Sequence, residues 1–102
     1  PGLAVWPGRI PAGSTSAVPA SLLDVFPTAL AAAGVPADPG RPLDGLDLLP
    51  SWTGRGPSPE RTLFWEWRVE GSNQLAAMRG DWKLVVAAGQ RPDLFDVAAD
   101  PA

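Results

Sequence analysis

An α+β arrangement, one main helix with a small three- to four-stranded antiparallel sheet, is what this sequence predicts, and three observations carry that prediction. Pro and Gly supply 13 and 11 of the 102 residues, about twice their usual share, which rules out long uninterrupted helices. Leu, Ile, Val and Phe number 24 and Trp five, more apolar content than disordered chains carry, so a packed core is expected. Eleven of the 13 Pro fall in residues 1–60 and three of the five Trp beyond it, so the composition changes near Pro59. A chain of this length has room for one small domain with a thin margin of stability.

Taken in order, Gly2-Leu3-Ala4-Val5-Trp6 is an apolar run ended by Pro7-Gly8 and predicts a buried strand entering a turn. Gly13 to Ser16 is a polar loop. The clearest helix signal runs from Leu22 to Gly34, with Asp24 as N-cap, Pro27 tolerated in the first turn and Gly34 as the stop before Pro36. Phe26, Leu30 and Ala33 fall at i, i+4 and i+7 and mark its expected buried face. Between Pro36 and Pro59 the pattern is loop, with a turn at Asp44-Gly45 and one helical turn over Leu48 to Trp52 capped by Asp47. Leu46, Leu49 and Trp52 are expected to pin that loop to a core.

The remainder predicts strands. Thr62 to Trp67 is rich in β-formers, with Leu63, Trp65 and Trp67 on one face and Phe64 and Glu66 on the other. Gln74 to Arg79 and Trp82 to Ala87 are joined by Gly80-Asp81, a two-residue link suited to a primed hairpin turn. Leu94 to Val97 offers a fourth strand, and Val69 to Asn73 is expected to be a polar loop.

Composition also removes whole classes of chemistry from these residues. Zero Cys excludes disulfides, zinc-thiolate sites and thiol nucleophiles; zero His excludes the commonest general base and the centre of a serine-hydrolase triad. The net charge of −3 is scattered, with no basic stripe for a phosphate backbone, so no nucleic-acid partner is expected. The uncharged stretch after Asp24 is too short and too punctuated by Pro27, Gly34 and Pro36 to span a bilayer, and no membrane partner is expected either. None of Ser14, Ser16, Ser21, Ser51, Ser58 and Ser72 lies in a nucleophile-elbow pattern. Asp44 and Asp47 around Gly45 lack the alternate ligands of a calcium loop, and turn and cap are their expected roles. Glu66 and Glu70, four apart on a strand, would stand roughly 13 Å apart, too far for a carboxylate pair. No catalytic residue and no metal ligand is therefore expected among these residues. Trp65, Trp67 and Arg68 are the candidate ligand contacts, an aromatic wall with a planar cation that matches two oxyanion oxygens, the other reading being that the tryptophans are core and Arg68 is solvated; Lys83 is expected on the polar face of a hairpin strand.

A larger pattern emerges from the order of short motifs. Trp6-Pro7-Gly8-Arg9-Ile10 with Pro11-Ala12-Gly13, Leu23-Asp24-Val25-Phe26-Pro27-Thr28 through Ala33-Gly34-Val35, and Leu43-Asp44-Gly45 through Leu48-Leu49-Pro50 resemble the later part of the formylglycine-dependent sulfatases. Leu63-Phe64-Trp65-Glu66, Met78-Arg79-Gly80-Asp81-Trp82-Lys83-Leu84-Val85 and Asp93-Leu94-Phe95-Asp96 with Asp100-Pro101 follow in that family's usual order. The resemblance implies an α/β parent of the alkaline phosphatase-like fold that hydrolyses sulfate esters with a formylglycine and a bound calcium. It implies that residues 1–60 close the catalytic domain and that 61–102 form a truncated C-terminal antiparallel sheet subdomain.

The family's Cys/Ser-x-Pro-x-Arg motif, its acidic calcium ligands and its active-site Lys and His precede this region, and Ser58-Pro59-Glu60-Arg61 does not fit the motif's spacing. The implied partners are thus the missing N-terminal catalytic domain and a sulfated small molecule or glycan, with the isolated piece inactive. Many relatives have His after the Glu of the Trp65-Glu66 segment; this chain has Trp67, which moves any polar substrate contact to Trp67 or Arg68. Two alternatives stand beside this: a phosphodiesterase or phosphonate monoester hydrolase of the same superfamily, and a non-catalytic binding or structural module. The start at Pro1 without Met and the end at Asp100-Pro101-Ala102 fit an excised piece of a longer protein.

Overall fold

The computed structural model describes residues 2–57 and 59–100, so Ser58 and the two chain ends, with Pro101 of the Asp100-Pro101 motif, lie outside the described residues. The chain divides into two compact units, Pro1–Pro59 and Glu60–Ala102. No described helix is long and apolar enough to cross a membrane.

In the first unit the helix starts earlier than the Asp24 cap predicts. Ser21 is the N-cap of a 3-10 turn over Leu22–Asp24, its hydroxyl accepting from the Leu23 N–H while Asp24 reaches back to the Ser21 N–H at 2.7 Å. This Ser-x-x-Asp pair is a capping box, which satisfies two free amides reciprocally and so takes the acid into the first turn instead of in front of it. Helix α1, Val25–Ala33, follows directly, and Gly34 ends it at φ 68°.

The packed side of α1 also differs from the expected Phe26, Leu30 and Ala33 stripe. Asp24 and Thr28 are buried and Pro27 and Ala31 half-buried, an i, i+3, i+4, i+7 series; of the expected stripe Leu30 is also half-buried, whereas Ala33 is exposed and Phe26 is 59% exposed. The polar members win because the loop that follows offers backbone groups to them. The Asp24 carboxylate accepts from the Leu46 N–H at 2.9 Å; the Thr28 hydroxyl accepts from the Leu48 N–H at 3.0 Å and donates to the Leu46 carbonyl at 3.4 Å. Leu48, 1% exposed, is the apolar residue this arrangement seals; of the expected Leu46, Leu49 and Trp52, the last two are half-buried and Leu46 is exposed. Gly45 is required where the loop turns in, since a Cβ there would collide with the Leu23 carbonyl. Helix α2, Leu49–Trp52, is a single turn, and Asp47 accepts from the Leu49 N–H at 2.8 Å. The predicted buried strand at Gly2 to Trp6 does not form: Leu3 is 93% exposed and no strand is described in this unit for it to pair with.

The second unit is a four-stranded antiparallel meander, β1 Thr62–Val69, β2 Ser72–Arg79, β3 Trp82–Ala87 and β4 Asp93–Asp96, in that order across the sheet. The β1–β2 register pairs Trp65 with Ala76 and Trp67 with Gln74, and runs through to Val69 opposite Ser72. The expected polar loop at Val69 to Asn73 is therefore only the turn Glu70-Gly71, both strands having extended into it. Gly80 at φ 55° opens the second turn, a left-handed conformation that other L-residues adopt at a cost. Register then pairs Ala76 with Val85 and Lys83 with both Met78 and Phe95. One face carries Leu63, Trp65, Trp67, Ala76 and Lys83; the other carries Phe64, Glu66, Arg68, Leu75, Trp82 and Leu84.

Candidate functional site

Alternating large and small side chains hollow the first of these faces. Trp65 and Trp67 rise from β1, Val85 and Lys83 from β3, and the strand between them presents Ala76 at the same level, so the small methyl forms a floor between two walls. The result is an open cavity of about 270 Å³, lined by Trp65, Trp67, Gln74, Leu75, Ala76, Lys83 and Val85. Its walls are apolar and aromatic, and its polar groups are the Gln74 amide and the ammonium of Lys83, the one lysine in the chain. Such a hollow suits one ring-sized group, stacked on indole and oriented by two hydrogen-bonding side chains.

The sequence-based candidates are separated by the pleat. Trp67 is 64% exposed and lines the cavity, with Trp65 beside it. Arg68 projects from the opposite face, where its Nε donates to Glu66 Oε1 at 2.6 Å. The Glu66 carboxylate, through that hydrogen bond and its charge, raises the guanidinium above its ordinary pKa, so Arg68 stays cationic. Lys83 and Gln74 were not singled out by the sequence as ligand contacts. Lys83 does stand on a hairpin strand as expected, yet the face it shares is that of the tryptophans. The β1–β2 and β2–β3 registers together put it there, and no local signal at Lys83 announces them.

Among the described residues no group of three or more acidic, His or Cys side chains could hold a metal ion, and the sequence has no Cys and no Ser followed by x-Pro-x-Arg. The residues present thus do not fit a calcium site or the family's maturation motif, and no catalytic step is assigned to them.

Comparison with known proteins places this geometry. No family model matches the chain. It superposes with a TM-score of 0.84 on the crystal structure of Ps i-CgsB, at 26% identity, over 95% of this chain and 22% of that one. Human arylsulfatase A is 49% identical over 104 aligned residues, which cover all of this chain and 20% of that protein. The N-acetylgalactosamine-6-sulfatase of the dog is 41% identical over 83 residues, 81% of this chain and 15% of the relative, and mouse arylsulfatase G is 47% identical over 64 residues, 63% and 12% respectively. The fold is thus that of a portion of an alkaline phosphatase-like hydrolase. More narrowly, the chain is a segment of the sulfatase type, spanning between 12 and 20% of the length of these relatives.

Proposed function

We infer that the protein carrying this segment is a sulfuric ester hydrolase and that the segment is its C-terminal portion, the antiparallel sheet forming the end of the chain's contribution. The observation that carries this is the 49% identity to human arylsulfatase A across the whole of this sequence. The bond-breaking groups, a formylglycine and a calcium ion in that family, would reside in the N-terminal catalytic domain that partners this segment. The test is to express the full-length protein and compare an aryl sulfate with an aryl phosphodiester and a phosphonate monoester. Calcium-dependent release of sulfate is expected; preferential turnover of the phosphorus esters would replace this account with the phosphodiesterase one, and no turnover of any ester would favour a binding module.

Within such an enzyme the segment's role is to meet the part of a sulfated small molecule or glycan remote from the scissile bond. Trp67 supports this best, because its ring lies in a hollow with Trp65 and a single ammonium, Lys83, that suits sulfate oxygens as a point charge. Arg68 would reach a sulfated ligand only on the opposite face, through the guanidinium N–H groups that its Nε bond to Glu66 leaves over. Contacts of this kind are expressed on large substrates and vanish on small ones. Trp67→Ala should lower kcat/KM about tenfold for an extended sulfated substrate while leaving a small aryl sulfate nearly unchanged. If Arg68 also makes contact, Arg68→Ala should cost about 10- to 150-fold on the extended substrate alone. Equal losses on both substrates, or none, would return each residue to a structural role.

A further inference from the structure

The hollow on the Trp67 face has two unlike ends. Trp67 pairs with Gln74 near the turn between β1 and β2, so that end carries an indole and a neutral amide. Lys83 pairs with Met78, itself the partner of Leu63, and its backbone therefore stands two pairs further down the ladder, roughly 13 Å along the strands from Trp67. The ammonium enters from the opposite end, at the tip of a stem long enough to line the same cavity.

The surroundings of Lys83 leave its charge uncompensated. The side chains directly across from it, Met78 and Phe95, are apolar, and Lys83 itself is half-buried. The acid that register brings nearest on this face is Asp93, diagonal to Lys83 at roughly 7–8 Å between backbones, and it does not line the cavity. Among the described residues Lys83 makes no ion pair and no side-chain hydrogen bond, in contrast to Arg68, whose Nε is taken by Glu66. An ammonium held between apolar side chains without a partner is stabilised by an arriving anion, and a compact charge with rotatable donors takes sulfate or carboxylate oxygens alike.

We propose that Lys83 is a specificity-determining residue: it binds a second anionic group of the substrate, a sulfate or carboxylate on the sugar next to the one being desulfated, and so selects multiply charged glycans over singly sulfated ones.

This rests on the reading of the hollow as the substrate-contact region of a sulfatase. In that reading the scissile sulfate sits at catalytic groups outside this segment, so an anion at Lys83 is a different one. The apolar face of a sugar stacks on indole at the Trp67 end, and the small Ala76 floor leaves room for the ligand to continue toward the ammonium.

The test uses the full-length protein with an aryl sulfate and three disaccharides that carry one sulfate on the same sugar, the other sugar being neutral, carboxylated or sulfated. The wild-type protein should desulfate the charged disaccharides with kcat/KM about tenfold or more above the neutral one, an advantage that shrinks as salt rises. A preference confined to one of the two charged disaccharides identifies the anion. Lys83→Met keeps an apolar stem and removes the charge; it should abolish the advantage while leaving the neutral disaccharide and the aryl sulfate within about twofold, and Lys83→Arg should retain most of it. Mass mapping of Lys83 acetylation gives a second reading that needs no variant: the residue should react in the full-length protein and be protected by the charged disaccharides. Equal turnover of neutral and charged disaccharides overturns the proposal. So does a charge preference that survives Lys83→Met, and so does a Lys83 that resists acetylation with no disaccharide present, which would show that another part of the protein fills the hollow. Trp67→Ala separates the two readings: losses on all three disaccharides with no charge preference in the wild type overturn the Lys83 assignment alone, whereas no loss on any of them overturns both.

Discussion

In the Pro1–Pro59 unit the deepest side chains besides Leu48 are polar, Asp24 and Thr28, and each holds the backbone of a loop some twenty residues away in sequence. In the Glu60–Ala102 unit the most buried residue described is apolar, Leu63, and the strands are joined by their ladder and by half-buried side chains such as Ala76, Met78 and Val85. The difference teaches where each unit is fragile. A buried carboxylate or hydroxyl that loses its place strands several backbone groups at once, whereas a meander distributes its stability over many equivalent bonds, each worth little when a surface side chain changes.

That contrast orders the expected effects. Asp24→Ala should be the most damaging, about 3 kcal/mol, because it leaves the Ser21 and Leu46 amides without their charged acceptor; urea denaturation and faster hydrogen exchange at Leu46 would report it. Gly45→Ala comes next, at about 1–3 kcal/mol, since the Leu23 carbonyl must give way to the added methyl. Thr28→Val should cost about 1–2 kcal/mol and show as exchange at Leu48, whose buried N–H keeps no partner on that side. In the sheet unit Gly80→Ala should cost about 1 kcal/mol through its positive φ, and Phe64→Ser, at a side chain 75% exposed, should fall within about 0.5 kcal/mol of the parent. A Phe64→Ser loss as large as that of Asp24→Ala would erase the distinction between the units.

The legibility of the sequence follows the same division. The sheet was readable because period-2 alternation at Leu63, Trp65 and Trp67 and the Gly80-Asp81 link are local signals, and β3 runs over the expected residues. Its one error, the loop at Val69 to Asn73, came from polarity: Ser72 and Asn73 look like loop residues, but their exposed positions at the start of β2 tolerate them in the ladder, and only Glu70-Gly71 is turn. The helix unit was harder because its decisive contacts are long-range. Nothing near Asp24 announces that Leu46 will need its carboxylate, and a helical wheel scored by hydrophobicity chooses Phe26 over Thr28. The Gly2 to Trp6 run reads as a strand from its composition, yet a strand exists only with a neighbour. Of the candidate site, Trp67 was found by residue type and Lys83 was missed, since register, not spacing, puts the two on one face.

The proposed function makes this chain, a segment of the sulfatase type, one portion of the enzyme, with the bond-breaking chemistry held by residues outside it. Steady-state hydrolysis of an aryl sulfate in the presence of calcium, measured in parallel on the purified 102-residue chain and on the full-length protein, tests that claim most directly. The account predicts turnover by the full-length protein and none above background by the chain, which offers neither a Cys nor a His to the reaction. Calcium-dependent turnover by the chain alone would contradict it.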